Sequence, residues 1–144
     1  MPYPEQLCAP MRKELTSIGF TELKDAAQVD ATIPNSKGTL LLVMNSVCGC
    51  AAGAARPGVK LAIQNSEIKP DHLTTVFAGQ DIEAVAQARK YTLPYPPSSP
   101  CIALFKDGQL VHFVERHHIE GHSAEMIAEN LTAAFEEHCT AVNS

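Results

Sequence analysis

The segment Thr39-Leu40-Leu41-Leu42-Val43-Met44-Asn45-Ser46-Val47-Cys48-Gly49-Cys50-Ala51-Ala52-Gly53-Ala54-Ala55 decides the fold. Within its first seven residues, Leu40 to Met44 form an apolar run without alternation, the pattern of a strand covered on both faces. Its last five favour a helix. Cys48 and Cys50 fall at the junction, where the free backbone N–H groups of a helix start stabilise a thiolate. The spacing therefore predicts strand, turn, thiol pair and helix, and it points to redox chemistry. Gly49, lacking a Cβ, is expected to permit the bend that would bring two cysteines one residue apart within bonding reach.

Working upstream, Leu7, Met11, Leu15 and Ile18 recur at helical spacing and Gly19 suits a helix end. Pro10 predicts that this helix begins or bends there. A second helix is expected over residues 25–33, with Ala26, Val29 and Ile33 inward, before Pro34, Asn35 and Gly38 break the chain. Downstream, the helix after the thiol pair runs to about Ile63 with a kink at Pro57-Gly58. Residues 71–78 read as a strand, and 81–90 as a helix burying Ile82, Val85 and Ala86. The stretch 92–100, rich in proline and serine, reads as a linker. Residues 101–105 and 109–114 form a hairpin across Lys106-Asp107-Gly108. A last helix over 123–139 carries Met126, Ile127, Asn130, Leu131, Ala134 and Phe135 on one stripe. The sum is one α/β domain over residues 1–144, with a mixed sheet and a helical N-terminal extension over about 4–34.

Composition narrows the class. Eleven basic and sixteen acidic residues in 144 give a net charge of −5, the wrong sign for a nucleic-acid binder. No segment reaches the roughly 18 apolar residues of a membrane span. Met1-Pro2-Tyr3-Pro4-Glu5 lacks the basic start and apolar core of a signal peptide, so the expected location is the cytoplasm. The five cysteines, Cys8, Cys48, Cys50, Cys101 and Cys139, are odd in number and irregularly spaced, unlike a secreted disulfide framework.

The order of elements resembles thioredoxin-like proteins, and the motifs resemble those of the bacilliredoxins. They are Asn45-Ser46-Val47-Cys48-Gly49-Cys50-Ala51-Ala52-Gly53, Ala55-Arg56-Pro57, Val76-Phe77-Ala78-Gly79-Gln80-Asp81, Pro97-Ser98-Ser99-Pro100, Ile119-Glu120-Gly121-His122 and Asn130-Leu131-Thr132-Ala133-Ala134-Phe135. The resemblance runs from about Glu5 to Cys139, nearly the whole chain. The resemblance implies a thioredoxin-like fold in which Cys48 attacks and Cys50 resolves. It implies an enzyme that removes bacillithiol, a low-molecular-weight thiol, from S-thiolated client proteins. Bacillithiol would be a thiol co-substrate, no cofactor would be resident, and a downstream reductase would restore the pair. Ser99 and Pro100, the latter resembling the superfamily's cis-proline, would present backbone to the substrate beside Gly49. Arg56, Arg116, His117 and His122 are candidates for receiving the carboxylates of an anionic thiol.

Two alternatives stay open at this stage. The same cysteines could serve a general disulfide isomerase or reductase. They could also carry Cu(I) or zinc, with His112, His117, His118, His122 or Cys101 completing the ligand set. Cys101 follows Pro100 and reads either as a third thiol near the pair or as a small apolar residue opening a strand.

Overall fold

In the computed structural model, residues 3–139 are described; the outermost residues of the 1–144 domain assignment lie outside them. Five strands form one mixed sheet: β1 (Thr21–Glu22), β2 (Thr39–Asn45), β3 (His72–Phe77), β4 (Cys101–Lys106) and β5 (Gln109–Val114). Their spatial order is β1-β3-β2-β4-β5. β1 and β2 run parallel to β3, while β4 is antiparallel to β2 and to β5. Six α-helices accompany them: α1 (Glu5–Thr16), α2 (Ala26–Thr32), α3 (Arg56–Asn65), α4 (Ile82–Lys90), α5 (Arg116–Ile119) and α6 (Ala124–His138).

The strand pleat sorts the core into two layers. Leu41 and Val43 of β2 join Ile102 and Leu104 of β4 beneath α3 and α6. Their alternate neighbours Leu40, Leu42 and Met44 join Ala103 and Phe105 beneath α2 and α4. Every residue of β2 is buried, as its unbroken apolar run predicts for a strand covered on both faces. The β4–β5 hairpin turns through Asp107 and Gly108, both at positive φ, the backbone twist that a two-residue turn between twisted strands requires.

Several expectations change in the structure. α1 extends through Pro10 from Glu5; the carbonyl that Pro10 cannot bond belongs to Gln6, an exposed residue within reach of water. Its inward residues are Cys8, Arg12 and Leu15, whereas Leu7 is 46% exposed. Arg12 turns inward because three carboxylates meet it there: Glu5 at 2.9 Å, Glu22 at 2.6 Å and Asp81 at 2.8 Å. Its guanidinium also lies over the Phe77 ring. The N-terminal extension is not purely helical, since β1 supplies an edge strand to the sheet. In α4 the buried residues are Ala84, Val85 and Ala88, with Ile82 and Ala86 outside. In α6, Met126 and Asn130 likewise leave the stripe formed by Ile127, Leu131, Ala134 and Phe135.

The segment after the cysteines is helical from Gly49 onward, but residues 51–55 adopt the wider π-helical winding before α3 begins. Pro57 thus lies in the first turn of α3, where a missing N–H costs little, rather than inside a continuous α-helix. Beside it, Gly58 allows α3 and α6 to meet: a Cβ there would stand 2.6 Å from the Cβ of Ile127 and 3.0 Å from the Ala124 carbonyl. Gly58→Val is expected to destabilise the fold by about 1–3 kcal/mol through overpacking, read as a lower urea midpoint. Gly53→Ala, where a Cβ meets nothing within 4 Å, should be neutral or stabilising. Equal midpoints for Gly58→Val and wild type would show that the two helices separate freely.

Candidate active site

Cys48 ends the loop leaving β2, and its carbonyl accepts hydrogen bonds from the N–H groups of Ala51 and Ala52. It therefore occupies the cap position of the helix that begins at Gly49, as the sequence order predicts. The loop is pinned by a chain of buried polar contacts. Asn45 donates through Nδ2 to the Met11 carbonyl at 3.0 Å, tying β2 to α1. Its Oδ1 accepts from the Ser46 N–H and from Arg56 Nη1, both at 2.8 Å. Arg56 Nη1 also donates to the Ser46 carbonyl, and Ser46 Oγ accepts from the Cys48 N–H at 3.0 Å.

The two sulfurs lie 2.9 Å apart. Cys48 is held below the ordinary thiol range, first by a hydrogen bond from the Cys50 thiol and then by the Cys50 N–H. The Arg116 guanidinium and the Ala51 N–H add to this, while burial opposes it. Cys50 is pushed up to about 11 by burial, by its bond to Cys48 and by the neighbouring negative charge. One sulfur is thus the more acidic of the pair and the other its hydrogen-bond donor.

Strand register brings the remaining parts together. Cys101 pairs with Met44, so the Ser99–Pro100 bond, which is cis, sits at the end of β2 from which the Cys48 loop departs. Arg116 opens α5 just after β5 and donates through Nη2 to Cys48 Sγ at 3.2 Å. Nη1 of the same guanidinium donates to the Ser99 carbonyl at 3.1 Å, and Glu120 pairs with it at 3.3 Å. The Arg116 side chain is 41% exposed, so it can meet a ligand from solvent.

Other candidates fall elsewhere. Arg56 is 2% exposed and serves the Asn45–Ser46 framework; it does not face solvent beside Cys48 as expected. Gly49 has no positive φ, and a Cβ there would meet nothing within 4 Å, so the bend does not need a glycine. His117 and His118 are exposed, with their ring centres 4.0 Å apart and their planes tilted by 53°. His118 Nδ1 accepts from the Glu115 N–H, capping α5, and His122 Nδ1 contacts the Glu120 carbonyl. Among the hydrogen bonds of the described residues, none joins His117 or His122 to the cysteine pair. Cys101 lies in the opposite core layer from Cys50, where burial pushes its thiol up to about 12. Glu115, His117 and His118 bring one metal-ligating atom each within 4.8 Å of one another, a group that includes neither Cys48 nor Cys50. Glu115, Asn45 and Ser46 were not singled out from sequence as site residues. Asn45 and Ser46 carried a signal in their position between the buried strand and Cys48.

Replacing Cys50 by Ala should move the pH midpoint of Cys48 alkylation upward, because the largest stabiliser of its thiolate is lost. Arg116→Gln should move it in the same direction by a smaller amount. An Arg116→Gln profile coincident with wild type would remove this arginine as the thiolate's charge partner.

Comparison with known proteins shows the family and the fold. A family model described as disulphide isomerase matches residues 3–139. A bacilliredoxin of Cytophaga hutchinsonii is 62% identical over 135 residues, covering 94% of this chain and 98% of that protein. A bacilliredoxin of Geobacillus kaustophilus is 52% identical over 137 residues, covering 95% and 94%. In fold, the chain is similar to a thioredoxin variant from Halobacterium salinarum, with TM-score 0.58, 17% identity and coverage of 87% and 95%. The oxidised mitochondrial thioredoxin 3 of Saccharomyces cerevisiae gives 0.56 at 18% identity, covering 86% and 98%.

Proposed function

The chain belongs to the bacilliredoxin family of thioredoxin-fold thiol–disulfide oxidoreductases, and we propose that it strips bacillithiol from protein mixed disulfides through Cys48 and Cys50. The observation that supports this most directly is the asymmetry of the pair. Cys48, at a helix start, is held below the ordinary thiol range, while Cys50, 2.9 Å from it, is pushed up to about 11.

The Cys48 thiolate attacks the bacillithiol sulfur of a client mixed disulfide. A Cys48–bacillithiol disulfide forms, the client–bacillithiol bond breaks, and the client leaves as a thiolate that takes a proton from water. This step consumes the negative charge of Cys48, and with it one of the causes that hold Cys50 protonated. Cys50 loses its proton to solvent and attacks Cys48 Sγ, releasing bacillithiol as a thiolate and leaving a Cys48–Cys50 disulfide. A second bacillithiol could instead attack the adduct, giving bacillithiol disulfide. After the Cys50 route, two electrons from a downstream reductase return the pair to its thiols. Arg116 orients the site by bridging Cys48 Sγ and the Ser99 carbonyl ahead of Pro100, and it can receive a carboxylate of the departing thiol. A reducing cytoplasm suits a resting dithiol; no helix among the described residues is long and apolar enough to cross a membrane.

The description of the matching family model as disulphide isomerase favours one second reading, exchange on a wider range of protein disulfides. Intact-mass spectrometry separates the two. With a bacillithiol-modified client, wild type should release the client thiol, Cys48→Ser should release none, and Cys50→Ser should release it while retaining a bacillithiol adduct on Cys48. Equal turnover of glutathione-modified client would favour the wider exchange. Full activity in Cys48→Ser, or rapid self-clearance by Cys50→Ser without added thiol, would sink the mechanism.

A further inference from the structure

A groove of about 520 Å³ runs between α1 and α3, within the size range of small-molecule sites. The thiol pair does not line it. Lys13 and Glu14 of α1 and Ser17 at its C-cap face it from one side, and Arg56 and Lys60 of α3 from the other. These residues recur at three- and four-residue steps, which puts each set on one side of its helix. Three cations against one carboxylate is a local reversal of charge in a chain whose net charge is −5.

Arg56 gives the groove a buried charged wall. Its Nη1 is committed to Asn45 and Ser46, but its buried Nε makes no hydrogen bond. The Glu14 carboxylate, on a side chain 47% exposed, forms an ion pair with Nε at 3.1 Å off the N–H axis, and an incoming anion would displace it. A buried charged donor lacking an aligned acceptor favours an incoming anion.

We propose that this groove binds a compact dianion, a dicarboxylate or a phosphate group. Lys13 and Lys60 contact its charges, Glu14 swings out, and Arg56 supplies the buried positive charge. The ligand thereby rests against the guanidinium that also holds Ser46, whose Oγ holds the Cys48 N–H.

Calorimetric titration of the full reduced chain at pH 8 and low ionic strength tests this without any thiol chemistry. Inorganic phosphate, succinate and acetate serve as probes. One saturable site for phosphate or succinate, with acetate weaker, is expected. Whichever of the two dianions binds more tightly identifies the source of the charge. Glu14→Gln should tighten binding and Lys60→Gln should weaken it, each by about two- to fivefold, the worth of one exposed ion pair. Absence of saturable binding would overturn the proposal, as would affinities indifferent to both substitutions. Binding that disappears in Arg116→Gln would assign the anion to the cysteine site and would overturn it equally.

Discussion

Taking a guanidinium out of water is costly unless its charge and most of its donors find partners, and Arg56 is almost completely buried. Its solution organises the functional end of the molecule. One nitrogen serves both the Asn45 side chain and the Ser46 carbonyl, which fixes the last residue of β2 and the first of the loop. Asn45 passes the constraint to α1 through the Met11 carbonyl, and Ser46 passes it to the Cys48 backbone. Helix, strand and nucleophile loop are held by one cation that never touches sulfur. Arg56 follows the π-helical winding of residues 51–55 directly, so the wide turn and the buried charge occupy adjacent positions. Widened turns of this kind are frequent at functional sites.

Around that frame, neighbouring sulfurs acquire opposite acidities from nearly the same surroundings. Cys48 collects donors, namely the Cys50 thiol, two backbone N–H groups and the Arg116 guanidinium. Cys50, more deeply set against the core, is surrounded by what disfavours a second negative charge. Position along the chain differs by two residues; the donors that reach Cys48 and the burial of Cys50 decide the chemistry.

Local signals were well expressed in the amino-acid sequence. The buried strand Thr39–Asn45, the Asp107-Gly108 turn, the start of α6 near residue 123 and the cap position of Cys48 all depend on neighbours a few residues away. What escaped depends on distance. Arg12 reads as part of a polar helix face until Asp81, 69 residues later, folds onto it. Arg56 reads as a solvent-facing ligand beside the active site until the end of β2 closes over it. The two-residue β1 and four-residue α5 are too short to carry a period, yet α5 delivers Arg116 to a sulfur 68 residues earlier. Histidines in the same loop attracted attention through their chemistry, while strand register and capping assigned them elsewhere.

The three cysteines outside the site are silent for one physical reason. Cys8, Cys101 and Cys139 are all buried, and burial raises each thiol above its ordinary range. Cys8 sits in α1, Cys101 opens β4 and Cys139 follows α6, so they are spread across the fold. The chain therefore carries its own gauge of integrity. Cys48 answers a mild reagent while the fold is intact, and the appearance of each buried thiol dates the opening of a different part of the fold.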